Sequence, residues 1–431
     1  MRLKDLIIQN IFWRGAYFLS LFGLNILIAR HFKAAGSGWV FYLINNLSIV
    51  LLITGISLES GAAYFVSKNE ISQPKIASFC FLWAFIATAA SVFFLWFFQG
   101  IPANDFAFGN RYLVVCANYV LGFLLINYFS ALFFAKQNFF LPNFILLCGN
   151  ILIALLLIFS GDGTVQGSWF VAIYFSSFLL QGLILAGFYF ANSHSFKDIG
   201  LLSFHEIKKL LSYSLVALSA NIIFFLVYRV DYWFVKIFCS GDALGNYIQV
   251  SKLGQIFMLV PSMIAAIIFP KTASGLHAGM SDALQVLSRF LFNLYVIVIV
   301  VLIVSGNWLF PFLYGKSFNE MYYAFLLLSP GILSLSTLAL LSAYFAGKDR
   351  LAVNLAGSVL SLVIIIAGDI MLIPKFGIKA AATVSSGGYI CYLMYSMHIF
   401  RKEHKSNLVN FFILKKSDIH YVGKLFQKPG L

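Results

Sequence analysis

Four basic residues stand inside or at the edge of long apolar stretches: Arg14, Arg30, Arg229 and Lys252. Charge in hydrocarbon persists only with a partner, a water-filled cavity or a route to the interface, so each is a candidate for holding an anion. Arginine offers a planar fork of donors that matches a phosphate, and lysine offers a point charge. Arg14 and Arg30 bracket the first apolar run and fit equally as heads that snorkel to the interface. Arg229 and Lys252 lie deeper. Three acids are placed alike: Glu59, Asp231 and Asp369. A carboxylate that takes up and releases H+ or Na+ at such a depth would tie ion flow to a conformational change. The structural alternative for Glu59 is a pair with Arg14, and for Asp369 a pair with Lys375 or Lys379. Arg229 and Asp231 are two positions apart and do not share a helix face.

The remaining inventory points away from catalysis. Cys80, Cys116, Cys148, Cys239 and Cys391 are scattered through apolar runs without a CxxC or a histidine cluster, so neither a zinc site nor a disulfide framework is implied. No GxSxG, HExxH or Walker pattern occurs, and no cofactor or ATP site is visible. Asn25, Asn45, Asn46, Asn127, Asn221, Gln249 and Gln255 fall in apolar stretches, where they would bond between helices or meet sugar hydroxyls.

The elements that must position these residues follow from composition. Of 431 residues, 61% are hydrophobic and only 10% charged, and the mean hydropathy is +0.91. A soluble fold would leave too much of this apolar area in water, whereas a bilayer does not. About twelve stretches reach the roughly twenty apolar residues a spanning helix needs: Ile11–Arg30, Trp39–Ser60, Ile76–Phe98, Tyr112–Phe134, Leu141–Ser160, Trp169–Ala191, Leu211–Phe238, Gly245–Pro270, Ser288–Phe310, Met321–Ala346, Leu351–Ile373 and Ile378–Phe400. The first reads as an uncleaved signal-anchor. Placing both termini in the cytoplasm puts Arg2, Lys4, Lys68, Lys75, Lys208, Lys209 and the basic tail inside, as the positive-inside rule requires of a multi-pass protein of the bacterial cytoplasmic membrane. The net charge of +14 then reflects topology and attraction to anionic membrane lipid, with no nucleic acid partner needed. The tail, 401–431, reads either as a short interfacial helix or as disorder.

The chain also repeats. SALFFAKQ at Ser130–Gln137 returns as SAYFAGKD at Ser342–Asp349, and KAAGSGWVFYL at Lys33–Leu43 aligns with SGDALGNYIQV at Ser240–Val250, Gly38 matching Gly245. An even number of spans separates the copies. The expected fold is therefore all-α, with two six-helix bundles related by a parallel pseudo-two-fold repeat: 1–192, a basic linker at 193–210, 211–400, and the tail. Pro261 and mid-span glycines allow the bending a rocking transporter needs.

Within this frame Tyr228–Gly275 resembles the seventh and eighth helices of polysaccharide flippases, the O-antigen and teichoic-acid exporters of the multidrug/oligosaccharidyl-lipid/polysaccharide superfamily. The resemblance is carried by Asp231, Gly245-Asn246-Tyr247, Pro261 and Phe269-Pro270, by Leu372–Ile378, and by the first connection at Ile28–Tyr42, where Trp39 stands in place of a common tyrosine. It implies a polyprenyl-diphosphate-linked oligosaccharide as substrate, alternating access, H+ or Na+ coupling, and other polysaccharide-assembly membrane proteins as partners. Asp231 coincides with the family's aspartate, a position that serves helix packing as readily as coupling. A drug/ion antiporter of the same superfamily shares the expected fold. A membrane polysaccharide polymerase or ligase would be expected to carry a substantial outer loop, and the longest outer connection here, Gln99–Arg111, is short.

Overall fold

The computed structural model describes residues 3–68, 70–97, 111–160, 167–191, 200, 202–273, 280–405, 407–415 and 418. Positions 193–199 and 201 of the linker expected at 193–210, the connection before Arg111 and the last thirteen positions lie outside these residues. Among the described residues the chain is helical, with no strand. Hydrocarbon offers no water to a backbone N–H or C=O, so a spanning segment closes its hydrogen bonds within itself. Ten helices among the described residues are long and apolar enough to cross a membrane, one of them, Phe12–Gly55, long enough for two passages. This is the architecture of a multi-pass membrane protein. The chain divides into two compact units, Met1–Ile222 and Ile223–Leu431.

The first unit holds α1 (Leu3–Gly55), α2 (Leu58–Ser67), α3 (Gln73–Phe97), α4 (Tyr112–Ala135), α5 (Phe140–Phe159), α6 (Gly167–Ala191) and the first part of α7 (Phe204–Arg229). No loop parts the two spans expected at Ile11–Arg30 and Trp39–Ser60: the helix turns at Lys33, whose backbone is non-helical (φ 58, ψ −173). The second span also runs past its expected end, breaking at Ile56 and Ser57 and resuming as α2 to Ser67. Both break residues have positive φ, 50° and 51°, uncommon outside glycine and most costly for the β-branched Ile56. The carbonyls freed there are taken up from neighbouring helices: Trp83 Nε1 donates to Thr54 O at 3.1 Å and Tyr128 OH to Gly55 O at 3.0 Å. Asn221 Nδ2 donates to Ser57 Oγ at 3.0 Å. α4 and α6 pack through glycines, since a Cβ on Gly122 would lie 2.3 Å from the Leu179 nitrogen and one on Gly182 2.7 Å from the Gly122 oxygen. α7 opens with a capping box: Ser203 N–H donates to Glu206 Oε2 at 2.7 Å and Glu206 N–H to Ser203 Oγ at 3.3 Å.

The second unit continues with α8 (Asp231–Phe238), α9 (Gly241–Phe257), α10 (Leu259–Ala273), α11 (Met280–Tyr314), α12 (Met321–Gly347), α13 (Leu351–Phe376) and α14 (Ile378–His404). α12 is central and packs against α9, α10, α11 and α14. α14 is not among the ten most apolar helices. It buries Ala380, Ala381, Ser385, Ser386 and Gly388 against neighbours, so it need not face lipid. Pro261 has no N–H to give the Phe257 carbonyl, and the helix breaks there; Tyr295 OH donates to that oxygen instead, at 2.5 Å. Pro330 leaves the Leu326 carbonyl in the same position, and Ser329 Oγ donates to it at 2.8 Å.

One of the two repeats seen in the sequence, Ser130–Gln137 with Ser342–Asp349, has a matching backbone. Lys136 and Lys348 close α4 and α12 with the same dihedrals (φ −85, ψ 8 and 9), and the next residues, Gln137 and Asp349, are left-handed at φ 60 and 58. The second repeat does not match in backbone: Lys33 has a positive φ (φ 58, ψ −173), whereas Ser240 is extended (φ −71, ψ 163).

In the stretch read as an interfacial helix or disorder, the described part is a 3-10 turn, Leu408–Phe411, with Phe411 buried. Arg289 Nη1 donates to Asn410 O and Nη2 to Asp418 Oδ1, both at 2.7 Å, and the Arg289 and Asp418 side chains are 6% and 2% exposed.

Two stability tests follow. Tyr295→Phe strands the Phe257 carbonyl and is expected to cost about 1–3 kcal/mol, read as a lower thermal midpoint in detergent. Asp418→Ala leaves Arg289 buried without its partner, at a cost of about 3–5 kcal/mol, and trypsin should cut at Lys415 faster than in the wild type.

Candidate ion and anion sites

α8 packs against α9, α13 and α14, and each brings one polar group towards its first residue. Asp231 is 1% exposed, and its Oδ2 accepts hydrogen bonds from Tyr247 OH of α9 and, at 3.0 Å, from Ser385 Oγ of α14. Tyr247 OH and Ser385 Oγ lie 3.3 Å apart. Asp369 of α13 is fully buried, within electrostatic reach of Asp231. Asp231 Oδ1 and both oxygens of Asp369 have no hydrogen-bond partner among the described residues. Tyr389 of α14 lies in the field of both carboxylates and donates to the Val227 carbonyl at 3.4 Å.

A buried carboxylate without donors is among the costliest groups a protein can carry, and two that feel each other cannot both stay ionised without a positive charge between them. The arrangement is therefore suited to holding protons or a small hard cation through carboxylate and hydroxyl oxygens. The expected pairs of Asp369 with Lys375 or Lys379 are not formed: neither oxygen is bonded, and Lys379 Nζ sits 5.0 Å from the Tyr323 ring centroid.

The same unit brings two cations together. Arg229, the last residue of α7, is half-buried with its guanidinium 5.4 Å from the Phe225 ring centroid. It lies close enough to Lys252 of α9 for the two charges to act on one another. Like charges in apolar surroundings gain from an anion that bridges them.

The other expected residues lie in the first unit and are not gathered. Arg14 is exposed, 5.8 Å from the Phe18 ring centroid, and Arg30 is exposed. Glu59 is half-buried in the first turn of α2, directly after the break at Ile56–Ser57, where an acid suits the helix dipole. No ion pair joins Glu59 to Arg14 among the described residues.

Sequence reasoning named Asp231, Asp369, Arg229 and Lys252 because charge in an apolar run is conspicuous. It missed Ser385 and Tyr389, and gave Tyr247 no role beyond its motif. Hydroxyl residues in spans are common, and the only signal was the run of small residues from Ala380 to Gly388 that lets α14 approach closely.

Asp369→Asn should leave the fold intact, because it removes a buried charge. If wild-type protein gains stability from Na+ over K+ at equal ionic strength, or from lower pH, the variant is expected to lose that gain, which reaches about 2.7 kcal/mol at a hundredfold excess over Kd.

No family model matches the chain, and no curated protein is found similar to it. Solved structures are similar in fold. The lipid II flippase MurJ in an inward closed conformation aligns with a TM-score of 0.72 at 15% identity, over 98% of this chain and 94% of that one. An inward-facing multidrug resistance MATE family transporter of the MOP superfamily aligns at 0.68 and 13% identity, over 90% and 94%. A mutant of the Vibrio cholerae MATE transporter VcmN aligns at 0.65 and 14% identity, over 95% and 99%. The chain thus has the fold of these transporters along nearly its whole length.

Proposed function

We propose that this protein is a flippase that carries a polyprenyl-diphosphate-linked oligosaccharide repeat unit from the inner to the outer leaflet of the bacterial cytoplasmic membrane. It would work by alternating access, driven by H+ or Na+ and serving O-antigen or capsule synthesis. The observation that carries this reading is the mutual proximity of Arg229 and Lys252 at membrane depth, in the unit that also buries Asp231 and Asp369. The cation pair supplies charge to a diphosphate that hydrocarbon would reject. The carboxylates give a coupling ion a place close to the cargo's cations, since Tyr232 lies in the field of both Arg229 and Asp231. The fold shared with a lipid II flippase agrees with a lipid-linked substrate. No bond is made or broken, so no catalytic residue is assigned.

A second reading, drug/cation antiport, has the MATE-type structures in its favour. A cationic drug would be repelled by Arg229 and Lys252, which is why the anionic cargo is preferred.

Proteoliposomes carrying a fluorescent lipid-linked repeat unit distinguish the two. Wild-type protein is expected to move the unit between leaflets, and Arg229→Ala or Lys252→Ala to slow it by about tenfold or more, as loss of one charge-assisted contact implies. Asp231→Asn should remove the response to an imposed H+ or Na+ gradient. Efflux of cationic dyes that survives both cation substitutions, with no movement of the lipid-linked unit, would establish the antiporter instead.

A further inference from the structure

A cavity of about 730 Å³ opens at one end of the first unit, lined by Tyr64 and Phe65 of α2, Glu70, and His205, Lys208, Lys209 and Tyr213 of α7 among others. Its volume falls within the range of about 300–1,000 Å³ usual for small-molecule sites. Its shape comes from a close approach below it. A Cβ on Gly61 would lie 2.4 Å from Ser214 Oγ and 3.2 Å from the Leu210 carbonyl oxygen, so α2 and α7 touch there. One turn further on, the larger Tyr64 and Tyr213 stack, with ring centroids 4.4 Å apart and planes 20° from parallel.

The lining is basic as well as aromatic. Lys209 Nζ lies 5.4 Å from the Phe65 ring centroid, and Lys68, just outside the lining, has its Nζ 4.6 Å from the ring centroid of Tyr64, which lines it. Glu70 pairs with Lys209 and, at 3.6 Å, with Lys68. The bond from Lys209 holds its carboxyl below the usual carboxylate range, so the acid stays ionised as an internal stand-in for an anion. Lys208 lines the cavity, exposed, with no hydrogen bond or ion pair among the described residues. Lysines alone would suit any phosphate. The half-open Tyr213 ring, 40% exposed, adds a flat apolar surface of the kind on which a sugar ring rests.

We infer that this cleft, at the end of the first unit that its lysines mark as cytoplasmic, is a binding site for a glycosyl diphosphate head group: Lys68, Lys208 and Lys209 take the diphosphate and Tyr213 the first sugar. It would receive the cargo before the deeper cations of the second unit do. The site extends the flippase reading, yet its residues are separate from Arg229 and Lys252. The other source of the same phosphate chemistry is the head group of a bulk anionic lipid.

The test uses the full chain in phosphatidylcholine nanodiscs with Arg229→Ala and Lys252→Ala already in place, so that the deeper cations contribute nothing. The probes are farnesyl-diphosphate-linked glucose and inorganic pyrophosphate. Binding of the sugar-bearing probe is expected to be saturable and to weaken about tenfold in Lys208→Ala/Lys209→Ala. Glu70→Gln, which releases two lysines, should tighten both probes by about threefold, a gain that misfolding cannot mimic. Tyr213→Leu should weaken the glucose probe and leave pyrophosphate unchanged. Equal binding in the lysine variant and its parent overturns the site. Displacement of the glucose probe by phosphatidylglycerol in the disc assigns the cleft to bulk lipid and overturns the glycosyl diphosphate. Failure of the transport assay with intact cleft binding would sink the flippase reading alone.

Discussion

The structure depends on one constraint: a backbone carbonyl or amide at membrane depth must find a partner inside the protein. Straight helices meet it unaided. Several breaks among the described residues meet it with a side-chain donor, from a neighbouring helix or, at Pro330, from the same helix. Trp83 and Tyr128 serve the carbonyls before Ile56 and Ser57, Tyr295 the one orphaned by Pro261, and Ser329 the one orphaned by Pro330. Ser386 bonds the Leu327 carbonyl at 2.7 Å and receives the Gly331 amide at 3.1 Å. Breaks are thus tied to particular partners on α3, α4, α11, α12 and α14. The alternating access proposed above needs helices that bend at set places, and these partners would fix the places.

The same economy governs charge. Asp231 sits at the start of α8, where the chain has just left α7, and Tyr247 and Ser385 satisfy only one of its oxygens. Asp369 receives nothing from the described residues. A fold that had merely to be stable would replace two such groups with apolar ones of similar size. Their presence next to one another, with Arg229 and Lys252 in the same unit, is what the proposed exchange of an ion would require.

Much of this was legible in the residues, for identifiable reasons. Span existence follows from apolar length, so all the expected stretches from Ile76 onward are helical with shifted ends, although Leu211–Phe238 and Gly245–Pro270 are each broken into two helices. The repeat of SALFFAKQ as SAYFAGKD fixed two helix ends that share a left-handed residue after the lysine. The kink at Lys33 was hidden because a basic residue between two apolar runs reads as a loop; the backbone stays nearly helical on both sides of it. The extension of the second span to Ser67 was hidden because Glu59 and Ser60 resemble an end. The cleft between Tyr64 and Tyr213 had no signal at all, since it joins residues from distant parts of the chain through a glycine contact that only packing reveals.

The buried pair of Arg289 with Asp418 links positions 129 residues apart, one of them thirteen residues from the end of the sequence. Synthesis proceeds from the N-terminus, so α11 enters the bilayer long before its counter-ion has been made. Until then the guanidinium has to be kept wet, near the membrane surface or in an unclosed bundle. The second unit therefore closes around Arg289 only after Asp418 has been made, so a late stretch of chain sets the moment at which an earlier helix can be sealed.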